Sequence, residues 1–138
     1  MAGILIVAHT PLASALLDFV EHIYGHVPED MFAVNVPPHE NSQRTFIRLN
    51  EVIQQMKSNQ EILVLTDIMG ATPSNVASRL SSQPGNMANI QVLTGVNLPM
   101  LLRAVSHRHE PLQEIVEKSL QGGQQGVLRI RDAGKVSL

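Results

Sequence analysis

Residues 3–11 read GILIVAHTP and decide the fold, because they join a buried strand to the start of a helix. The segment from Gly3 to Ala8 has the length of a strand and is almost entirely aliphatic. Such a continuous apolar run is typical of a strand that is covered on both faces, as in a parallel sheet. The run ends at His9, and Thr10-Pro11 then favours a helix start. The sequence therefore predicts a titratable imidazole at the carboxyl end of the first strand.

The same arrangement recurs along the chain. Short apolar runs, MFAVNV (31–36), EILVLT (61–66) and IQVLT (90–94), alternate with segments whose apolar residues have helical spacing. Asn41 or Ser42 is suited to cap the second helix. This alternation predicts a doubly wound α/β three-layer sandwich with a mainly parallel four-stranded sheet. We expect the strand order 2-1-3-4.

The end of the chain is predicted to add one more strand. SSQPGN (81–86) indicates a turn, QGGQQG (121–126) a flexible connection, and GVLRIRD (126–132) a late C-terminal strand. With 138 residues, the chain has the length of one domain, and we expect a single domain over 1–138.

The composition excludes several classes of function. The formal net charge is −2, no basic run is present, and the aromatic residues are three Phe and one Tyr, so nucleic acid is not an expected partner. The absence of cysteine excludes disulfides, thiolate metal sites and thiol catalysis. The start, MAGILIVAH, has no basic region before its short apolar run, and no stretch is long enough to span a membrane. These features predict a soluble cytoplasmic protein without membrane insertion.

Two strand ends have the same residue pattern. The first strand is followed by Thr10-Pro11, and the third is followed, after DIMGA, by Thr72-Pro73. Threonine is a good N-cap and proline a good first helical residue, so both loops are predicted to lead directly into helix N-termini. The free N–H groups and the partial positive charge of a helix N-terminus suit a phosphoryl group.

His9 and Asp67 are the candidate catalytic pair. Each lies at the carboxyl end of its strand, and neighbouring strands would bring the two side chains together at the switch point of the sheet. A carboxylate that accepts a hydrogen bond from one ring nitrogen would leave the other nitrogen as a nucleophile for covalent phosphoryl transfer. That chemistry requires no metal, nucleotide or other cofactor. From the spacing, a structural histidine beside a turn-forming aspartate remains an open alternative.

Three stretches together resemble a known family: GILIVAHTPLASALL, ILVLTDIMGATPSNVASRL and VLTGVNLPMLL. They are similar to the enzyme IIA domain of the mannose, fructose and sorbose family of the bacterial phosphotransferase system (PTS). The resemblance implies a homodimer whose active histidine is phosphorylated by the phosphocarrier HPr and passes the group to a IIB domain during sugar uptake. It also implies that residues 126–132 form a strand that is exchanged or paired between subunits.

The resemblance assigns roles to individual residues. His9 matches the phosphorylated histidine, reacting through Nε2, and Asp67 matches the carboxylate that orients its Nδ1. The predicted phosphoryl-binding residues are Thr10, Gly70, Thr72 and Ser74. The chain departs from the family where Thr10-Pro11 replaces the usual glycine after the histidine, and where Met69 replaces an aromatic residue.

One alternative function stays open at this stage. Small α/β chelatases of tetrapyrrole pathways resemble the chain in size and also have a histidine after the first strand. They need a second histidine from a later strand end, whereas Asp67 and Thr94 occupy those positions here. The chain ends at Leu138, so we expect the phosphoryl acceptor to be a separate IIB protein, or the phosphorylated state to be a regulatory signal.

Overall fold

The computed structural model describes residues 1–58, 60–82 and 89–131. Strands and helices alternate along most of this part of the chain, and two helices follow the last strand. The elements are β1 (Gly3–His9), α1 (Leu12–Tyr24), β2 (Met31–Val36), α2 (Ser42–Gln55), β3 (Glu61–Thr66), α3 (Thr72–Ser81), β4 (Asn89–Leu93), α4 (Leu98–Ser106) and α5 (Leu112–Gln125).

The sheet has the predicted topology. Its order is β2-β1-β3-β4, and all three strand pairs are parallel. Ala8 is paired with Asn35 of β2, and Val7 is paired with Thr66 of β3. The carboxyl ends of β1 and β3 therefore lie side by side, which confirms the α/β class and the strand order 2-1-3-4.

Two apolar layers cover the sheet because side chains alternate along each strand. Ile4 and Ile6 of β1 belong to the layer formed with α1, α4 and α5. Leu5 and Val7 belong to the opposite layer, formed with α2 and α3. All four side chains are completely or almost completely buried. Burial on both faces explains why the first run of the sequence has no polar residue before His9.

The helix starts differ in detail from the prediction. Pro11, not Thr10, occupies the N-cap position of α1, and the proline side chain has no polar atom that could cap the helix. In α3, Ala71 is the N-cap and Thr72 is already helical, so the predicted capping by threonine is wrong at both helices. At α3 the reason is Gly70, whose φ of 83° turns the loop so that Ala71 takes the extended conformation of an N-cap. Capping of α2 by Asn41 is confirmed, since its side chain accepts a hydrogen bond from Gln43 N at 2.8 Å.

The end of the described chain corrects two further predictions. Residues 121–125 were predicted as a flexible connection but continue α5. The glycines in this segment let the helix pack closely against α4, where a larger side chain would not fit. A Cβ atom at Gly122 would lie 2.4 Å from Arg103 Cγ and 3.1 Å from the carbonyl oxygen of Pro99. Residues 126–131 form no strand within the single chain, and no strand among the described residues is paired with them. Asp132 of the predicted strand and residues 83–86 of the predicted turn lie outside the described residues.

Within the described ranges, no helix is both long and apolar enough to cross a membrane.

Because α4 and α5 are in close contact at Gly122, we expect a glycine-to-alanine substitution in α5 to destabilise the protein rather than stabilise it. Alanine normally favours a helix over glycine by about 1 kcal/mol, but at position 122 its methyl group would be forced against Arg103 and Pro99. We expect Gly122→Ala to lower the free energy of unfolding by about 1–3 kcal/mol in urea denaturation. Gln124→Ala, an exposed position in the same helix turn, is the matched control and should change little. A stabilised Gly122→Ala protein would contradict the packing described here.

Candidate active site

His9 lies at the last position of β1, where the rigid strand meets the exposed edge of the sheet. Its backbone is held on both sides, since His9 N donates to Asp67 Oδ2 at 3.1 Å and Thr10 N donates to the carbonyl of Val36 at 3.1 Å. The imidazole is 51% exposed. A fixed backbone and an accessible ring are what a nucleophile that must meet another molecule requires.

Asp67 follows β3 directly and is only 11% exposed. Its Oδ2 lies 2.7 Å from His9 Nδ1, and its Oδ1 accepts a hydrogen bond from Ile68 N at 2.9 Å. An ionised carboxylate can only accept, so Nδ1 carries the proton of this hydrogen bond. The lone pair of the neutral ring is therefore on Nε2, the nitrogen that Asp67 does not contact.

The environment keeps Asp67 ionised. Burial raises the pKa of Asp67, but hydrogen bonds from the side chain and backbone of His9 and from Ile68 N outweigh that effect. The pKa of Asp67 therefore lies below its ordinary value of 3.8. At neutral pH the carboxylate is present as the acceptor that the tautomer of His9 needs.

The two helix N-termini beside the pair are not equivalent. At α1, the side chain of Asn35 from the neighbouring strand caps the helix, because Ser14 N donates to Asn35 Oδ1 at 3.1 Å. At α3, no side chain caps the helix. Thr72 N and Ser74 N make no hydrogen bond to any residue that the structure describes. The first turn of α3 thus has N–H groups available for an anion.

The predicted phosphoryl-binding residues fall into two groups. Thr10 is exposed next to His9, and exposed Gly70 and half-buried Thr72 lie in the segment that leads from Asp67 into α3. Ser74 is buried, and its hydroxyl is directed inward to the carbonyl of Ile68 at 2.6 Å. Thr10, Gly70 and Thr72 therefore lie at the carboxyl end of the sheet, where His9 and Asp67 meet, which we call the His9 edge. The hydroxyl of Ser74 is instead hydrogen-bonded within the protein.

Sequence reasoning missed the residues that support the α1 side of the site. The side-chain amide of Asn35 donates to Ser14 Oγ at 2.9 Å, and the backbone carbonyl of Asn35 accepts a hydrogen bond from the Arg48 guanidinium at 3.1 Å. Arg48 is in turn held by the buried carboxylate of Glu40 at 2.7 Å. The available signal was Asn35 itself, a polar residue in the otherwise apolar run MFAVNV.

Comparison with known proteins shows that the chain is similar to IIA components of the phosphotransferase system. The family model of the PTS system fructose IIA component, of the mannose EIIA type, matches residues 3–120. The chain therefore belongs to this family.

Individual relatives support the same assignment. The sorbose-specific EIIA component of Klebsiella pneumoniae is 31% identical over 102 residues, which are 74% of this chain and 71% of that protein. The crystal structure of a phosphotransferase system EIIA component from Streptococcus agalactiae is 34% identical, with a TM-score of 0.85 over 95% of this chain and 98% of that one. The mannose-specific EIIAB component of Escherichia coli is 27% identical over 131 residues. That match includes 94% of this chain but only 39% of the length of the relative.

The chelatase alternative has no support. The family match is to a IIA component. Among the residues that the structure describes, no group of three or more His, Cys, Asp or Glu side chains is placed to hold a metal ion.

The lowered pKa of Asp67 predicts a pH-dependent contribution to stability. The contribution is complete above the unfolded-state value of about 3.8 and is lost as the pH falls through the lower folded-state pKa. We expect wild type to be more stable than Asp67→Asn at neutral pH, and the difference to shrink at about pH 3, measured by urea unfolding at both pH values. Asp18→Asn, which changes an exposed carboxylate of α1, should show no comparable difference. A difference between wild type and Asp67→Asn that is independent of pH would contradict this assignment.

Proposed function

We propose that the protein is a phosphohistidine carrier that accepts a phosphoryl group from phosphorylated HPr on His9 Nε2. In the cytoplasm, the protein passes the group to a IIB component, or its phosphorylated state acts as a regulatory signal. The observation that carries the proposal is the 2.7 Å contact between His9 Nδ1 and Asp67 Oδ2, which leaves Nε2 of a 51% exposed ring as the nucleophile.

The transfer step follows from the protonation of this pair. The Nε2 lone pair attacks phosphorus, and a new N–P bond forms while the bond from phosphorus to the donor atom breaks. The donor atom keeps the electron pair of the broken bond. The proton on Nδ1 stays in place, so the phosphorylated ring is positively charged, and Asp67 stabilises that charge.

The available N–H groups on the α3 side supply a place for the phosphoryl oxygens. Thr72 N and Ser74 N lie in the uncapped first turn of α3, and Gly70 has no side chain in the loop before it. The hydroxyls of Thr10 and Thr72 complete the proposed set of phosphoryl contacts. Backbone N–H groups suit this role because they hold an anion without neutralising it by proton transfer.

An apolar surface beside His9 is suited to the partner proteins. Ile68 is 58% exposed and Met69 is 81% exposed, both in the loop that begins at Asp67. Methionine provides contact area that can adapt to different surfaces. We assign HPr and the IIB protein to this same surface, since both must approach Nε2.

Phosphorylation by purified components tests the proposal. Incubation with phosphoenolpyruvate, enzyme I and HPr should add one acid-labile phosphoryl group to wild type, as measured by intact mass. His9→Ala should gain none, and Asp67→Ala should be slowed by about 100-fold or more, because it loses the group that sets the tautomer.

His107→Ala is the matched control for this experiment. His107 also has its Nδ1 bound to a carboxylate, that of Glu110, but it follows α4 beside the amino end of β1. This variant should be phosphorylated like wild type. An unphosphorylated wild type, or a phosphorylated His9→Ala, would disprove the carrier function.

The described C-terminal segment suits a second copy of the chain as its partner. Val127, Leu128 and Ile130 are 79%, 56% and 85% exposed after the end of α5. Val127 and Leu128, together with residues of α1, α4 and α5, line an open groove of about 1020 Å³. The segment forms no strand in the single chain, and pairing between two copies would bury both its apolar side chains and its backbone groups. We infer a homodimer through this segment.

Charge placed in the segment should disrupt the homodimer. We expect wild type to have the mass of two chains in light scattering, and Leu128→Glu/Ile130→Glu to have the mass of one chain at the same concentration. Met69→Glu, which places the same charge at another exposed apolar position, in the loop that begins at Asp67, is the control and should remain a dimer. A monomeric wild type at high concentration would rule out this assembly.

A further inference from the structure

Three hydroxyl groups are clustered beneath the loop that begins at Asp67. Ser74 Oγ lies at the centre, 2.8 Å from Thr66 Oγ1 and 3.2 Å from Thr94 Oγ1. Thr66 is completely buried and Ser74 is 8% exposed. They come from the end of β3, the first turn of α3 and the residue after β4. The mechanism proposed above uses none of these three hydroxyls.

The direction of each hydrogen bond follows from the capacity of the groups. Ser74 Oγ lies 2.6 Å from the carbonyl oxygen of Ile68, which can only accept, so Ser74 donates its single proton there. Its two acceptor sites are then filled by Thr66 and Thr94. Thr66 lies farther from its other acceptor, the carbonyl of Leu93 at 3.3 Å. The hydroxyl of Ser74 is therefore fully used, and no capacity is left for a phosphoryl oxygen.

The carbonyl that accepts the hydrogen bond from Ser74 belongs to Ile68, and the backbone N–H of Ile68 contacts Asp67. Ile68 N donates to Asp67 Oδ1 at 2.9 Å, while Ile68 O accepts from Ser74. Ile68 is thus held at both ends of its backbone, although its side chain is 58% exposed. A loop with so little side-chain packing depends on such polar contacts to keep one conformation.

We propose that Ser74 is a positioning residue of the active site. Its buried hydroxyl fixes the Ile68 carbonyl to the ends of β3 and β4, and so holds the Asp67 carboxylate against His9 Nδ1. This inference deepens the proposed carrier function and rests on it. It also separates the hydroxyl of Ser74 from the groups that contact the phosphoryl group: Ser74 N remains in the proposed set of phosphoryl contacts, whereas the hydroxyl acts through Ile68 and Asp67.

The tautomer of His9 is the direct readout, because it reports the contact with Asp67 without any phosphoryl transfer. We would record two-bond proton–nitrogen correlation spectra of the unphosphorylated protein at a pH where imidazoles are neutral. Wild type should show His9 with its proton on Nδ1. Ser74→Ala should show a mixture with the Nε2-protonated form, and Ser74→Thr, which keeps the hydroxyl, should restore the wild-type spectrum.

Two further variants separate positioning from general stability. Thr66→Val removes one donor to Ser74 and keeps the side-chain shape, so it should shift the tautomer in the same direction as Ser74→Ala but less. Ser119→Ala is the matched control, because Ser119 is, like Ser74, a buried helical serine, but its hydroxyl has no hydrogen-bond partner within the described part of the chain. Ser119→Ala should leave the His9 spectrum unchanged.

The transfer rate gives the second measurement. Ser74→Ala should be phosphorylated by HPr about tenfold more slowly than wild type, as expected for a displaced orienting group, and Ser74→Thr should recover most of the rate. The inference is overturned if folded Ser74→Ala keeps the wild-type tautomer, or if Ser119→Ala alters it as much. A wild type that HPr does not phosphorylate would instead refute the carrier function, and the spectra would still decide the role of Ser74.

Discussion

The parallel pairing of β1 and β3 is the constraint on which the site depends. Both strands are buried on both faces, so their alignment is set by packing in two apolar layers at once. This alignment brings the residue at the end of β1 and the residue after β3 to the same edge. The 2.7 Å contact between His9 and Asp67 is a consequence of it. A pair held by two rigid strands needs little reorganisation when charge develops on the ring.

Different polar contacts stabilise the α1 side and the α3 side of this edge. On the α1 side, Asn35 takes the capping role that Pro11 cannot perform, and Arg48 and Glu40 hold Asn35 in place. On the α3 side, the helix start has no side-chain cap, and the loop before it is held by the hydroxyl of Ser74. One N–H group of the α1 start is thereby bound within the protein, whereas no side chain binds the first N–H groups of α3. The uncapped start of α3, next to the loop that begins at Asp67, is the reason we propose that the phosphoryl oxygens bind beside α3.

Exposed apolar residues form two surfaces to which we assign different partners. Ile68 and Met69 lie in the loop that begins at Asp67, where we propose that HPr and the IIB protein approach. Leu128 and Ile130 lie beyond α5, next to the groove that we assign to a second copy of the chain.

The amino-acid sequence by itself determined the alternation of strands and helices, the parallel class of the sheet and the pair His9 and Asp67. These features are readable because burial imposes apolar runs, and because the ends of parallel strands share one edge. Only the tertiary structure decided which groups hold the site in place. The capping of α1 by Asn35, the inward direction of Ser74 and the helical state of residues 121–125 each depend on a contact with another element. Local sequence preferences do not encode such contacts, so threonine was wrongly predicted to cap both helices. The late strand predicted over 126–132 is not formed by residues 126–131 within the single chain, and its pairing between two copies stays a prediction.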